Sequence, residues 1–221
     1  MIQVVISGYG KMGHRVEAEL SRRGIPLVTA SEDICAVPPE VAAGSVCIDF
    51  TTPEAFRANY PVIARNFKAA VVGTTGWNDI SGEVFEAFRK AGKPLVYTAN
   101  FSLGVNALYA ALKKASALLN GAGYKASVEE VHHVHKLDAP SGTAKTLEAI
   151  VKEGLGEEPK MSAIRVGEFP GIHSVTLESA FDRLVFTHEA FSRDGFAVGA
   201  VVAALLTPEL GPGPHEFSTL L

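Results

Sequence analysis

Cysteine is almost absent from this chain of 221 residues. The two present, Cys35 and Cys47, form neither a disulfide framework nor a zinc-binding pattern, and such sparse use fits a reducing compartment. Basic charge is not in excess either. Twenty Lys and Arg stand against 24 Asp and Glu, for a net charge of −4. The broad positive field that a nucleic-acid binder needs to neutralise phosphates is therefore missing. Long apolar runs are missing too. The longest, Phe196 to Leu206, has 11 residues and contains Gly199. A membrane helix needs about 20. The opening, MIQVVISGYG, lacks the basic start and extended apolar stretch of a signal peptide. The expectation is a cytoplasmic chain that binds neither nucleic acid nor membrane. What remains is ordinary: 47% hydrophobic and 20% charged residues, enough to bury the core of one large domain or two small ones.

The first half alternates short β-branched runs with helical patterns. IQVVIS (2–7), IPLVTAS (25–31), SVCIDF (45–50), KAAVVGTT (68–75) and Pro94 to Tyr97 read as strands. Between them lie a helix from Lys11 to Arg23 ended by Gly24, a helix opened by the N-cap Thr52 and Pro53, and a helix from about Ile80 to Lys90. Pro61 is expected to kink or split the second of these. Such alternation implies a parallel sheet wrapped by helices. Past residue 100 the pattern changes. A long helix spans Leu103 to Leu119, Tyr124 to His133 is strand-like, and a helix starts at Gly142-Thr143 and runs to about Lys152. Three strand-like runs follow (Ser162–Gly167, His173–Ser179, Leu184–Glu189) with no helix between them, so this part reads as an α+β layer with a mixed or antiparallel sheet. The segment from Gly195 to Leu206 is small and apolar on all sides and calls for full burial, best met by packing back on the first domain. TPELGPGPHEF reads as a Pro/Gly-rich tail.

Gly8-Tyr9-Gly10-Lys11-Met12-Gly13 fits G-x-G-x-x-G between a strand and a helix. The glycines permit a tight turn, close approach to a pyrophosphate and close helix–strand packing, while the helix N-terminus faces the phosphates. Glu32, 22 residues after Gly10, ends the second strand, where a carboxylate would accept both hydroxyls of an adenosine ribose. A ligand-free glycine turn is the bland alternative. Ser31-Glu32-Asp33-Ile34 offers two carboxylates and no cation, which disfavours a 2′-phosphate and favours NADH over NADPH, although Arg22 and Arg23 are within reach along the chain. Gly73-Thr74-Thr75-Gly76 and Thr98-Ala99-Asn100-Phe101-Ser102 close two further strands on the edge where such sheets bind ligands. Ordinary turn chemistry explains those residues equally well.

The densest chemistry is Glu129-Glu130-Val131-His132-His133-Val134-His135-Lys136, followed by Leu137-Asp138-Ala139-Pro140-Ser141-Gly142-Thr143. A metal site would need partners that the neighbourhood does not supply, such as Cys or HExxH. A satisfied structural cluster is a second alternative. Acid–base work on an anionic substrate suits three histidines at neutral pH, with Lys136 as a point charge for a carboxylate. Ser141-Gly142-Thr143 opens a helix and forms a seat for an anion.

EEVHHVHKLDAPSGTA resembles the signature of the 4-hydroxy-tetrahydrodipicolinate reductase family of diaminopimelate and lysine biosynthesis. GYGKMG, DFTTPEA, GTTG, TANFSLGVN and IRVGEFPGIHSV resemble the same family in the same order, over nearly the whole chain. The chain is short for the family and its loop after Glu32 is trimmed. The resemblance implies an α/β protein: a Rossmann-type dinucleotide-binding domain (residues 1–101 and 194–221) and an α+β substrate-binding and tetramerisation domain with an open mixed sheet (102–193). Hinges would lie near Asn100–Ser102 and Ser192–Gly195. It implies that Gly8, Tyr9, Gly10, Lys11, Met12 and Gly13 hold a pyrophosphate, that Glu32 holds the ribose, and that Gly73, Thr74, Thr75, Thr98, Ala99, Asn100 and Phe101 line the nicotinamide side. It makes His132 and Lys136 the proton-transfer groups, and His133, Gly142 and Thr143 the ligands of a dicarboxylate substrate reduced by NADH or NADPH. Arg165 and Arg193 are weaker candidates for closing charges, a solvated surface role being the more expected. A homotetramer is implied as well, since Val175, Leu177, Leu184 and Phe186 would otherwise leave an apolar sheet face wet. Another small NAD-dependent dehydrogenase would place different groups at HHVHKLDAPSGT, and a nucleotide-sensing module would have no use for His132 or Lys136.

Overall fold

The β-branched runs Val4–Ser7, Val46–Asp49 and Ala69–Val72 are buried at every position, as strands covered on both faces must be. In the computed structural model, which describes residues 2–221, they are β1, β3 and β4. Leu27–Ser31 is β2 and Pro94–Tyr97 is β5. The helices between them are α1 (Lys11–Arg22), the short α2 (Pro39–Gly44), α3 (Pro53–Asn66) and α4 (Ser81–Ala91). Thr52 caps α3 by accepting the Ala55 N–H, with Pro53 in the first turn. Pro61 does not split α3, which runs through it. The proline lies on the exposed side, so its ring faces solvent and one backbone bond is lost rather than the helix. Val5, Phe56, Ile63, Val72, Phe88 and Leu95 are among the core residues between the strands and α3 and α4.

After Phe101 the chain builds a second compact unit, Ser102–Gly195. It consists of α5 (Leu103–Leu118), β6 (Lys125–His132), α6 (Gly142–Leu155), β7 (Lys160–Arg165), β8 (Ile172–Glu178) and β9 (Arg183–Glu189). Ser102 caps α5 by accepting the Val105 N–H, and Ser141 caps α6 by accepting the Ala144 N–H, each at 3.2 Å. The sheet order is β7-β6-β8-β9; β6 and β7 are parallel and the other pairs antiparallel. Leu108 and Leu112 of α5 and Leu147 and Val151 of α6 pack on Val128, Val175 and Leu177. This corrects the expectation of a wet apolar face. Val175 and Leu177 are fully buried, and Leu184 and Phe186 pack against the same core, because all four point toward the helices. The outward face is mixed, with Ser174, Thr176 and Thr187 beside Val185 and Ile164, which are 58% and 39% exposed.

Period-two alternation then fixes what else lies on the inner face. With Val128 inside, so are Glu130 and His132 of β6. With Val175 and Phe186 inside, so are His173 of β8 and His188 of β9. The register places Glu130 opposite His173, and His173 opposite His188. One end of the inner face is thus polar while the rest is apolar.

The chain returns to the first unit through α7 (Asp194–Leu206), and that unit takes in Phe196–Leu221. Gly199 lies on the Phe101 carbonyl, where any Cβ would collide. The helix is not buried all round: Leu205 is 42% exposed. The supposed tail is not loose either. Gly213–Glu216 forms β10, which pairs in parallel with β5 and completes a sheet ordered β10-β5-β4-β3-β1-β2. All its neighbouring pairs run parallel, so the carboxyl ends of the strands share one edge. Chain order reverses between β1 and β3 on that edge, the place where open α/β sheets form a ligand crevice.

Candidate active site

The glycine turn leaves β1 and enters α1 on the carboxyl edge of the first sheet. Gly8 has φ +86°, and a Cβ there would lie 2.6 Å from the Phe50 carbonyl oxygen. A Cβ on Gly13 would collide with the Gly8 carbonyl, so α1 can sit tight on the turn only with glycine there. A Cβ on Gly10 would meet nothing within 4 Å. Gly10 is the N-cap of α1 and supplies no side-chain cap. Lys11 is exposed and Met12 half-buried, while the Tyr9 ring leans on His14 and its hydroxyl donates to Glu17.

Glu32 follows β2 and is exposed. Asp33 has a local job, accepting the Cys35 N–H to cap a 3-10 turn. Arg22 and Arg23 are both engaged by Glu19, with Nε–O distances of 2.7 and 2.5 Å. These bonds hold the Glu19 carboxyl at about 2.

A buried carboxylate ties the strand ends together. Asp49, the last residue of β3, accepts from Ser7 Oγ at 2.6 Å, Thr74 Oγ1 at 2.5 Å and Thr51 Oγ1 at 3.0 Å. Burial pushes its carboxyl up, against those hydrogen bonds. Thr74 is accordingly buried, with its hydroxyl committed to Asp49, whereas Thr75 is exposed. Gly73 packs on the Phe50 ring, where a Cβ would collide. The Arg57 guanidinium holds this loop by donating to Gly76 O and Asp79. Thr98 Oγ1 accepts the Asn100 N–H, Ala99 is exposed, and Phe101 is buried between Phe50 and Phe217. The expected dinucleotide residues therefore lie in the segments that follow β1, β2, β4 and β5, with Lys11, Met12 and Gly13 in the first turn of α1, but Thr74 and Phe101 spend their side chains on the core.

The second unit gathers a different set. His132, the last residue of β6, is buried. Its Nδ1 lies 3.4 Å from Glu130 Oε2, and a Cβ on Gly171 would come within 2.9 Å of its Nε2. Glu130 is wholly buried and its Oε1 accepts from the Ser141 N–H at 3.0 Å and from Arg165 Nη2 at 2.7 Å. Burial pushes the Glu130 carboxyl up, but the bonds from Ser141 and Arg165 and the charge of His132 outweigh it, so the net shift is downward. His173 completes the cluster. Its ring is 5.0 Å from that of His132, and its Nε2 is 3.2 Å from Ser141 Oγ. Burial first, then the charge of His132, takes His173 down to about 4, so it is neutral at pH 7. Burial also lowers His188, whose Nε2 lies 3.4 Å from Ser102 Oγ. His132 is lowered by burial, with Glu130 opposing and Lys136, Arg165 and His133 adding to the fall.

Backbone bonds from His133 N–H to Phe169 O and from Val134 N–H to Gly167 O hold the segment after β6. Lys136 pairs with Asp138 at 2.7 Å, which lowers the Asp138 carboxyl. His135 is exposed beside Glu168, Gly142 is exposed, and Thr143 is half-buried in the first turn of α6. Arg165 is not a solvated surface group. Its guanidinium is engaged by Glu130 and by the Asp138 carbonyl, because an arginine on the inner face of β7 needs a buried anion beside it. Glu130, His173 and His188 were missed by motif reading. The signal that finds them is strand alternation carried across the register from His132. Among the described residues, Glu130, His132 and His173 form a group with ligand-type atoms all within 4.8 Å. The guanidinium on Glu130 already neutralises it, so a dication there would face a cation.

Residues 2–101 match the N-terminal domain of dihydrodipicolinate reductase, and residues 104–221 match its C-terminal domain. The 4-hydroxy-tetrahydrodipicolinate reductase of Christiangramia forsetii is 36% identical over 217 residues, covering 92% of this chain and 91% of that one. That of Methanopyrus kandleri is 38% identical over 204 residues, covering 84% and 74%. In fold, the chain superposes on a dipicolinate-bound dihydrodipicolinate reductase from Paenisporosarcina sp. TG-14 with a TM-score of 0.83 at 19% identity, over 100% of both chains. A diaminopimelate dehydrogenase from C. glutamicum shares the fold more loosely, with a TM-score of 0.62 at 13% identity over 98% and 93% of the two chains. The chain belongs to the dihydrodipicolinate reductase family, the oxidoreductases that reduce 4-hydroxy-tetrahydrodipicolinate on the way to diaminopimelate and lysine.

Proposed function

We propose that His132 and Lys136 are the proton-transfer groups of this reduction and that His133, Gly142 and Thr143 bind the substrate's carboxylates. The observation that carries the reading is the burial of His132 on a clamped carboxylate, with its Nε2 beside a glycine and Lys136 four residues on. Loss of water from the 4-hydroxy substrate leaves a conjugated ring, and adding hydride at its C4 leaves electron density toward the ring nitrogen. A protonated His132 supplies the proton there, and Lys136 offsets charge on the dianion. The Gly142 and Thr143 N–H groups, in the first turn of α6, suit a carboxylate.

The family's reductant is a nicotinamide dinucleotide, which when bound supplies the hydride. The glycine turn fits such a group: Gly10 leaves open space where a side chain would stand, and α1 begins without a side-chain cap. Gly8, Tyr9, Gly10, Lys11, Met12 and Gly13 would hold the pyrophosphate and Glu32 the ribose. Gly73, Thr74, Thr75, Thr98, Ala99, Asn100 and Phe101 would border the nicotinamide, with Thr74 and Phe101 acting from the core behind it. NADH is the preferred form in this reading. Glu32 and Asp33 repel a 2′-phosphate, and the nearby cations Arg22 and Arg23 are already held by Glu19. The working form is a homotetramer in the cytoplasm.

Turnover of the dihydrodipicolinate synthase product, followed by loss of reduced nicotinamide, tests the assignment. His132→Ala and Lys136→Ala are each expected to lower kcat by about 10²–10⁴. Full turnover in both variants would refute both proton-transfer roles. In the same assay KM is expected to be lower for NADH than for NADPH, and the reverse order would refute the reading of Glu32.

A further inference from the structure

The Glu130 carboxylate has one oxygen fully used and one not. Oε1 receives the Ser141 N–H and the Arg165 guanidinium. Oε2 is buried and has no hydrogen-bond partner. The same holds for His132 Nδ1, and these two atoms face each other at 3.4 Å. A buried acceptor and a buried donor left unsatisfied each carry a desolvation penalty, so closing that gap is favourable. Catalytic hydrogen bonds are often this long before substrate arrives. His173 Nε2, 3.6 Å from Oε2, is the rival donor, but it already has Ser141 Oγ at 3.2 Å.

We propose that Glu130 is a positioning residue for the reduction: its Oε2 receives the Nδ1–H of His132, fixing that ring with Nε2 free beside Gly171 and balancing the positive charge the ring carries as an acid. This rests on the assignment of His132 as the proton donor. When the proton leaves Nε2, the ring becomes neutral, Nδ1–H stays on Glu130, and Glu130 remains a carboxylate throughout. Arg165 and the Ser141 N–H hold the carboxylate from the other side, so the strand positions the ring rather than the loop after it. Behind metal-bound imidazoles, such a carboxylate fixes tautomer and orientation, and its loss commonly costs about 10–100-fold; the same geometry serves a proton-donating ring.

The pH profile separates this role from a structural one. The charged or titratable groups facing His132 are Glu130 on its own strand, Arg165 on β7, His173 on β8, and His133 and Lys136 on the following loop; His188 on β9 stands behind His173. Activity that needs protonated His132 falls as pH rises. Removing the anion with Glu130→Gln destabilises the imidazolium, so that falling limb of kcat/KM is expected to move to lower pH by about one unit or more, with kcat down about tenfold. Removing the neighbouring cation with Arg165→Gln is expected to move the same limb to higher pH. His132→Gln, measured alongside, is expected to abolish most turnover. A Glu130→Gln profile that superimposes on the parent, or two variants shifting in the same direction, would overturn the role of Glu130. Should Glu130→Gln fail to fold, Arg165→Gln decides alone: a limb that stays in place or moves down overturns the proposal. If His132→Gln keeps full turnover, the donor assignment itself falls; if it does not and Glu130→Gln leaves the profile unchanged, only the role of Glu130 falls.

Discussion

Gly171 sets the room available to the His132 ring. Its missing side chain is what leaves Nε2 approachable, since a Cβ there would stand 2.9 Å from Nε2 and 3.2 Å from Cδ2. Gly171→Ala therefore has to push the imidazole off the Glu130 carboxylate or shift the backbone that Ala190 binds through the Gly171 carbonyl. Overpacking of this kind costs about 1–3 kcal/mol, and each 1.4 kcal/mol at the transition state is about tenfold in rate. The expected result is a folded enzyme with kcat/KM down about tenfold or more, checked by steady-state kinetics beside a melting curve. Unchanged kinetics would mean that His132 does not work through Nε2. Residue identity alone revealed part of this. HHVHK is dense enough in titratable groups to mark one candidate site, and G-x-G-x-x-G marks another. Glu130 stands in the same motif, yet nothing in the letters says that its carboxylate is buried. Arg165 reads as a surface arginine until the strand pairing places it opposite His132. Thr74 and Phe101 read as ligand-facing because their loop does, while burial turns their side chains to Asp49 and to Phe217.

Elements were legible wherever local chemistry decides them. Thr52-Pro53 and Ser141-Gly142 are N-terminal signals, and both helices begin there with the cap bond made. The central strands β1, β3 and β4 carry near-continuous apolar runs because they are covered on both faces, which sequence shows directly. Elements set by distant partners were not legible. Gly213–Glu216 has the composition of a loop and becomes a strand only because β5 offers it an open edge. Pro61 carries a strong breaking signal, and its exposed position lets α3 absorb it. The apolar residues of β8 and β9 announce a buried face without saying what buries it. It is α5 and α6 that cover Val175 and Leu177, and the two caps of those helices, Ser102 and Ser141, sit against His188 and His173 at the polar end of the same face.

At the scale of the molecule, the chain forms two compact units. The first brings the ends of its parallel strands to one edge, where Asp49 of β3 holds Ser7 of β1 and Thr74 after β4; the second gathers Glu130, His132, His173 and Arg165 at one end of a mixed sheet, where we propose the acid–base chemistry. Burial of Val175 and Leu177 removes the simplest argument for assembly, and the remaining one is the outward sheet face with Val185 and Ile164 exposed. A tetramer built on that face is expected to give the mass of four chains in light scattering, and Val185→Asp is expected to reduce it. A monomer in the parent protein would contradict that assembly. The most direct measurement for the account as a whole is a crystal structure of the protein with dipicolinate and reduced dinucleotide. One carboxylate is expected on His133 and the Gly142 and Thr143 N–H groups, with His132 Nε2 turned toward the diacid and its Nδ1 within hydrogen-bond distance of Glu130. A diacid bound away from those residues, or a His132 ring rotated off Glu130, would contradict it.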